Sequence, residues 1–290
     1  MSFLKKNNSI IRCLEENTLP IILSFPHSGR DYNNNSIQKS KLSKKEFRKS
    51  EDAFLDYLFA MVFNLNINYI YANFPRVFID LNRHRNEIIM SELEGAPKDF
   101  KAYKTQLALN GFGLIHTVSS NGKRFYDNKI TWKEYQNRLI NYYDPWYHNF
   151  KSLIEKTKRC HDNILLIDCH SMPSSLGSSG FYDYDFVIGD LNGASCSDKI
   201  NDFLEDYFKQ YDFKISFNKP YSGQNILKNF TNPSIGIYGI QLEINKNIYM
   251  DENKLTYDKS NKDLEIFLKK LIEALGFYLR GFDRLANAAE

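Results

Sequence analysis

At 290 residues and 34.0 kDa, with 42% hydrophobic residues, the chain can bury a substantial core as one large domain or two small ones. Its 38 Lys and Arg against 35 Asp and Glu leave a formal charge of +3, too weak and too scattered to point to a nucleic acid or membrane partner. No window approaches the roughly 18 uncharged apolar residues of a membrane helix, the start lacks the apolar run of a secretory signal, and Cys13, Cys160, Cys169 and Cys196 form no CxxC pair, so a cytoplasmic protein with reduced thiols is expected.

In chain order, "LPIILSF" at 19–25 is short, apolar and marked by Pro20 and Pro26, which predicts a buried strand. Over 43–65, Ser43 and Glu46 stand at capping-box spacing and apolar residues recur at 54, 55, 58, 59 and 62. That pattern predicts a helix, with Ser50 before Glu51 and Asp52 as an alternative start. "INYIYANF" and "VFIDL" read as β-rich on either side of Pro75 and Arg76, and 86–130 is Gly-punctuated without an assignable period. A long amphipathic helix is predicted over 130–159, kinked or split by Pro145. Strands follow at "NILLIDC" and "YDFVIGD", a helix at about 197–210, strands at "FKISF" and "SIGIYGIQLEI", and a closing helix at "KDLEIFLKKLIEALGFYLRGF". Strands alternating with helices, without a linker or a repeat, predict an α/β sandwich with a mixed, mostly parallel sheet, a single domain over 1–290.

In open α/β sheets ligands bind outside the carboxyl ends of the strands, and chemistry-bearing residues gather at such ends here. His27 follows the first strand, His170 ends "LLIDC", Arg76 precedes and Asn82 and Arg83 close "VFIDL", and Glu243 sits near the end of "GIQLE". Two imidazoles and one carboxylate are a common zinc set that leaves a position for water. A lone histidine is more often a satisfied core or turn residue; two, each after a buried strand and each succeeded by Ser, argue for ligands. The carboxylate candidates are Glu51, Asp52 and Asp56. Asp52 is preferred because at helical spacing it shares a face with Leu55 and Phe59, where an unpaired carboxylate is costly, the alternative being that Glu51 and Asp52 simply favour a helix N-terminus.

Asp168 shares a strand face with His170, where it either holds or neighbours that histidine or is a structural residue. Cys169 points to the other face, which argues against a Cys–His nucleophile and base. Arg76 and Arg83 offer planar forks suited to an anionic substrate, the alternative being that Arg83, His84 and Arg85 form a solvated loop. Glu243 is a lone acid in an apolar strand, either an ion-pair member or a general base whose pKa burial raises. His84, His116, His148 and His161 read as surface residues.

Taken together, "PHSG", "FPRVFIDLNR", "LLIDCHSMPS", "VIGDLNGASC", "PYSG" and "GIQLEINKNIYM" resemble the N-formylglutamate amidohydrolase family over about residues 20–252. The "DLNR" element is similar to that of aspartoacylase and succinylglutamate desuccinylase, within the zinc carboxypeptidase fold. The resemblance implies a three-layer αβα sandwich and one zinc ion, cobalt or manganese being alternatives, held by His27, His170 and an acid near Asp52. It implies Glu243 as the base that activates water, Arg76 as the group that steadies the oxyanion, and Asn82 with Arg83 as the clamp on a substrate carboxylate. The implied reaction is hydrolysis of N-formyl-L-glutamate to formate and L-glutamate. Alternatives are a deacylase or carboxypeptidase-type hydrolase acting on another N-acyl amino acid or small peptide, or a non-catalytic metal-binding sensor, against which Glu243 argues. Two departures stand beside the match: Lys246 where family members commonly carry Arg, and "RDYNNNS" in place of a Pro-containing loop.

Overall fold

The computed structural model describes residues 3–6, 8–14, 16, 18–33, 37, 40, 42–175 and 183–287, with side chains described between 8 and 281. Eight strands form one sheet: β1 Phe3–Lys6, β2 Ser9–Arg12, β3 Ile21–Phe25, β4 Asn68–Ala72, β5 Ile164–Met172, β6 Phe186–Gly189, β7 Ile215–Phe217 and β8 Ile237–Asn245. Their spatial order is β1-β2-β4-β3-β5-β8-β6-β7. The central four, β4, β3, β5 and β8, run parallel, as do β6 and β7, while β1 with β2, β2 with β4 and β6 with β8 pair antiparallel. The sheet is therefore mixed and mostly parallel, as expected. Strands β1 and β2 went unread because four-residue segments, one of them half lysine, are too short to show a period.

Helices α1 Lys44–Arg48, α2 Leu55–Leu58, α3 Gln106–Leu109, α4 Trp132–Arg138, α5 Asp144–Lys158, α6 Asp198–Lys209, α7 Asn225–Phe230 and α8 Lys262–Asn287 complete the layers. The period of two assigns each strand residue to a face. Leu23, Ile167 and Leu242 join an apolar layer with residues of α6 and α8. Ile22, Ile70 and Leu166 join the opposite layer with Trp146, Phe150 and Leu153 of α5. Burial on both faces is why the central strands read as continuous apolar runs. No helix among the described residues is long and apolar enough to cross a membrane.

Three segments depart from the sequence reading. The helix expected over 43–65 breaks: Ser43 and Glu46 do form a capping box, but α1 stops at Arg48, Glu51 and Asp52 lie in the connection, and Phe54 adopts a left-handed φ of 63° before α2. The apolar period survives in α2; the helix does not, because Asp52 is tied elsewhere, its N–H donating to His27 O at 3.1 Å.

"VFIDL" is turn and loop rather than strand. Val77, Phe78, Ile79 and Leu81 are all buried, so consecutive burial mimicked a strand. The backbone groups of this buried loop still need partners, and helices supply them: Arg138 Nη1 donates to Phe78 O, Tyr147 Oη to Leu81 O and Tyr143 Oη to Arg83 O, at 2.7, 2.8 and 2.9 Å. Over 130–159 the helical path holds, but residues 139–143 form a π-helical turn immediately before Pro145. Proline offers no N–H to the preceding turn, and the wider turn absorbs the mismatch.

Candidate active site

On the face of the sheet that carries Ile22 and Leu166, the carboxyl ends of the parallel strands turn polar. Register sets Gln241 beside Asp168 and Glu243 beside His170 across β8 and β5, and Ser24 beside Asp168 across β3 and β5. Three loops close over this end: 26–30 after β3, 50–54, and 75–83 after β4. Gly29 lets the first lie against the end of β4 and the residues just after it, since a Cβ there would stand 2.2 Å from Phe74 O.

His27, Asp52 and His170 meet, their candidate ligand atoms all within 4.8 Å of one another and all three residues buried. Asp52 Oδ2 lies 2.9 Å from His170 Nδ1 and 3.4 Å from His27 Nδ1. The rival carboxylates point elsewhere: Glu51 takes Tyr32 Oη and Arg48, and Asp56 takes Arg30. Each imidazole is held from behind by a carboxylate, His27 Nε2 by Asp80 Oδ1 at 2.7 Å and His170 Nε2 by Asp168 Oδ2 at 2.8 Å. Such bonds fix the tautomer, with the proton on Nε2 and the lone pair on Nδ1.

The residues fit a cation. His27 Nδ1 is buried without a hydrogen-bond partner, and its lone pair faces the Asp52 carboxylate. Two acceptors confronting each other in a buried site call for positive charge between them. Without an ion, protons play that part: burial opposes the charge on His170, but Asp168 and Asp52 outweigh it and hold its pKa well above the usual imidazole range. Burial likewise opposes the charge on Asp52, and His170 with His27 overrides it, keeping the carboxyl well below its ordinary value.

His27, Asp52, His170, Arg76, Arg83 and Glu243 line one cavity of about 140 Å³. Burial pushes Glu243 up to about 7, with Asp52 adding to the rise and His170 opposing it. Gln241 Nε2 donates to its Oε1 at 2.9 Å. Arg76 holds Asp80 at 2.8 Å and reaches to 3.9 Å from Asp52. Arg83 donates to Gln224 Oε1 at 2.8 Å, and its buried Nε makes no hydrogen bond. Asn82 is in the cavity wall, but its amide is committed: Nδ2 donates to Asp168 Oδ2 at 3.1 Å and Gln241 Oε1 at 3.3 Å, and Oδ1 accepts from Ile226 N at 2.8 Å. A wider chamber of about 450 Å³ adjoins the cavity and shares Asp52, Arg76, Arg83, Ser171 and Pro173 with it.

Sequence reasoning missed two residues. Asp80, fully buried, links His27, Arg76 and His116, yet as a lone acid in an apolar run it carries the same signal that singled out Asp168 and Glu243. His116 is not a surface residue: it is 3% exposed and donates to Asp80 Oδ2 at 3.1 Å. Its signal was the apolar pair Leu114 and Ile115 immediately before it. The exposed positions of His84 and His148 agree with expectation, and His161 is half-buried against Thr18.

A family model described as N-formylglutamate amidohydrolase matches residues 19–250. Among solved structures the chain is similar to the crystal structure of N-formylglutamate amidohydrolase from Ralstonia eutropha JMP134, with 26% identity and a TM-score of 0.86 over 95% of this chain and 99% of that one. It is also similar to gene product Atu2144 from Agrobacterium tumefaciens, at 13% identity and a TM-score of 0.62 over 93% and 91% of the two chains, a likeness of fold alone. A search of curated proteins finds no match. With the family model spanning most of its length, the chain belongs to the N-formylglutamate amidohydrolase family.

Proposed function

We propose that the protein is a metal-dependent amidohydrolase that cleaves the N-formyl amide of N-formyl-L-glutamate to formate and L-glutamate. The observation that carries this reading is the convergence of the His27–Asp52–His170 group, Glu243 and two arginines on one small cavity. His27, Asp52 and His170 would hold a single divalent ion, with zinc favoured by the two nitrogen donors and one carboxylate. When bound, the ion supplies Lewis acidity that makes water ionisable near neutral pH and polarises the substrate carbonyl.

The remaining work falls to the side chains. Glu243 takes a proton from water and later gives it to the departing amine; burial places its pKa near the operating pH, where such transfer is efficient. Gln241 fixes one Glu243 oxygen and leaves the other for the proton. Arg76, braced by Asp80, faces the cavity as a donor to the developing oxyanion, a contribution of about 3–4 kcal/mol for a well-aimed group. Arg83, whose Nε makes no hydrogen bond and stands 3.9 Å from Asp80 Oδ2, is the clamp for a substrate carboxylate, and Asn82, its amide already spent, orients Asp168 and Gln241 behind the site.

The test is formate release from N-formyl-L-glutamate, followed with the untreated protein, after chelation, and after zinc, cobalt or manganese is restored. Loss and return of activity in step with metal content supports the reading; no formate under any of these conditions refutes it. The adjoining chamber favours one second reading, a deacylase of larger N-acyl amino acids or short peptides. Faster turnover of N-acetyl or N-succinyl glutamate than of the formyl compound would select it.

A further inference from the structure

We infer that His116 is a positioning residue of this site: by holding one oxygen of Asp80 it keeps the other oxygen on His27 and keeps Arg76 aimed at the cavity. The inference rests on the reading of His27 as a metal ligand.

Asp80 is fully buried and saturated. Its Oδ1 accepts from His27 Nε2 at 2.7 Å and from Asn82 N at 2.9 Å. Its Oδ2 accepts from Arg76 Nη2 at 2.8 Å, Arg76 Nε at 3.2 Å and His116 Nε2 at 3.1 Å. An arginine beside a carboxylate prefers a two-pronged grip, one N–H to each oxygen. Arg76 instead sets both nitrogens on a single oxygen, because Oδ1 is filled. The carboxylate is thus held in an orientation its strongest partner would not choose, and His116 is the additional donor on the Oδ2 side.

His116 is itself fastened in place. Asp80 N donates to Leu114 O at 2.7 Å, two residues before the ring, and Thr117 N donates to Gly111 O at 2.9 Å behind it. Burial pushes the imidazole pKa down to about 4, with Arg76 and Arg83 adding to the fall against the pull of Asp80. The ring is therefore neutral at working pH and brings a donor to Asp80 without a further charge. Remove it, and Oδ2 loses its one donor besides the arginines, so less opposes a turn of the carboxylate towards a two-pronged grip by Arg76 at the expense of the bonds on Oδ1. His27 then loses the bond that fixes its tautomer, and the guanidinium is drawn back from the cavity.

The test uses the full chain with His116→Gln, whose amide can still donate to Asp80, and His116→Met, of similar size without a donor. Zinc dissociation constants are measured by competition with a chromophoric chelator, beside kcat, KM and Tm. The Met variant should bind zinc about 10–100-fold more weakly and lose kcat by a similar factor at saturating zinc. KM should stay within about threefold, and the Gln variant should recover most of both losses. A folded Met variant with unchanged zinc affinity and kcat overturns the inference, as does a Gln variant no better than the Met one. Should the Met variant fail to fold, nitrogen NMR of the unchanged protein decides: the His116 proton should sit on Nε2 at neutral pH, and a proton on Nδ1 alone overturns the assignment. Zinc affinity and tautomer are read without substrate, so failure to hydrolyse N-formylglutamate would remove the proposed reaction while leaving this test intact.

Discussion

Glu243 is the side chain on which the proposed chemistry turns, and its environment makes a signed prediction. Burial holds its pKa near 7, and a divalent ion bound beside it would favour the ionised form and pull that value down. The base works only when ionised, so kcat/KM should rise with pH along an acid limb centred below about 7 and level off above it. A rate still climbing at about pH 9 would point to a different base. Glu243→Gln keeps the shape and a hydrogen-bonding group but no base; it should keep its metal and lose about 10²–10⁴ in kcat, and near-normal turnover would remove the assignment. Arg83→Ala should raise KM more for N-formylglutamate than for its esters, because only the free acid offers a carboxylate to grip; equal effects on both would show that Arg83 is no clamp. These side chains were legible because a charged group at the end of an apolar run has few innocent explanations. Asn82 was legible as a place rather than as a role, since nothing in "DLNR" reveals that its amide is spent on residues 86 and 159 positions away.

At the scale of elements, the loop 75–83 does what strands usually do, holding several site residues in place without a ladder of its own. Its rigidity comes from the facing helices, above all from Arg138, fully buried, which donates to Phe78 O and stacks its guanidinium 4.1 Å from the Phe78 ring centroid. Arg138→Met keeps most of the volume and leaves a buried carbonyl unpaired, so it should cost about 1–3 kcal/mol of stability. Urea unfolding checks this, and an unchanged midpoint would show that the loop holds itself. The same arrangement explains why the loop was misread: period-two reasoning assumes one wet face, and four buried apolar residues within five positions erase the signal. The broken helix at 43–65 failed for the opposite reason. Its period was real, but recruitment of Asp52 to the two histidines outweighed local preference, and nothing within the segment could announce partners at 27 and 170.

For the molecule as a whole, the central strands were readable because each is a short apolar run closed by a turn residue or a polar side chain. Order and direction were readable only as a class, since pairing joins residues as far apart as Ile21 and Leu165, in β3 with β5. Strands β1 and β2 were not readable because four residues each are too short to show a period, and the Asp80–His116 bond because it joins residues 36 positions apart that nothing local ties together. If the strand ends converge on a bound ion, that ion stabilises the folded state by mass action, about 2.7 kcal/mol when free metal exceeds its dissociation constant a hundredfold. Chelation should then lower Tm by roughly 5–10 °C, at about 2–4 °C per kcal/mol for a chain approaching this size. The central claim is that His27, Asp52 and His170 share one ion, and anomalous diffraction at the zinc edge from crystals grown with zinc tests it most directly. The account predicts a single strong peak per chain within coordination distance of His27 Nδ1, His170 Nδ1 and an Asp52 oxygen. A peak elsewhere, or none in a protein that still releases formate, would contradict it.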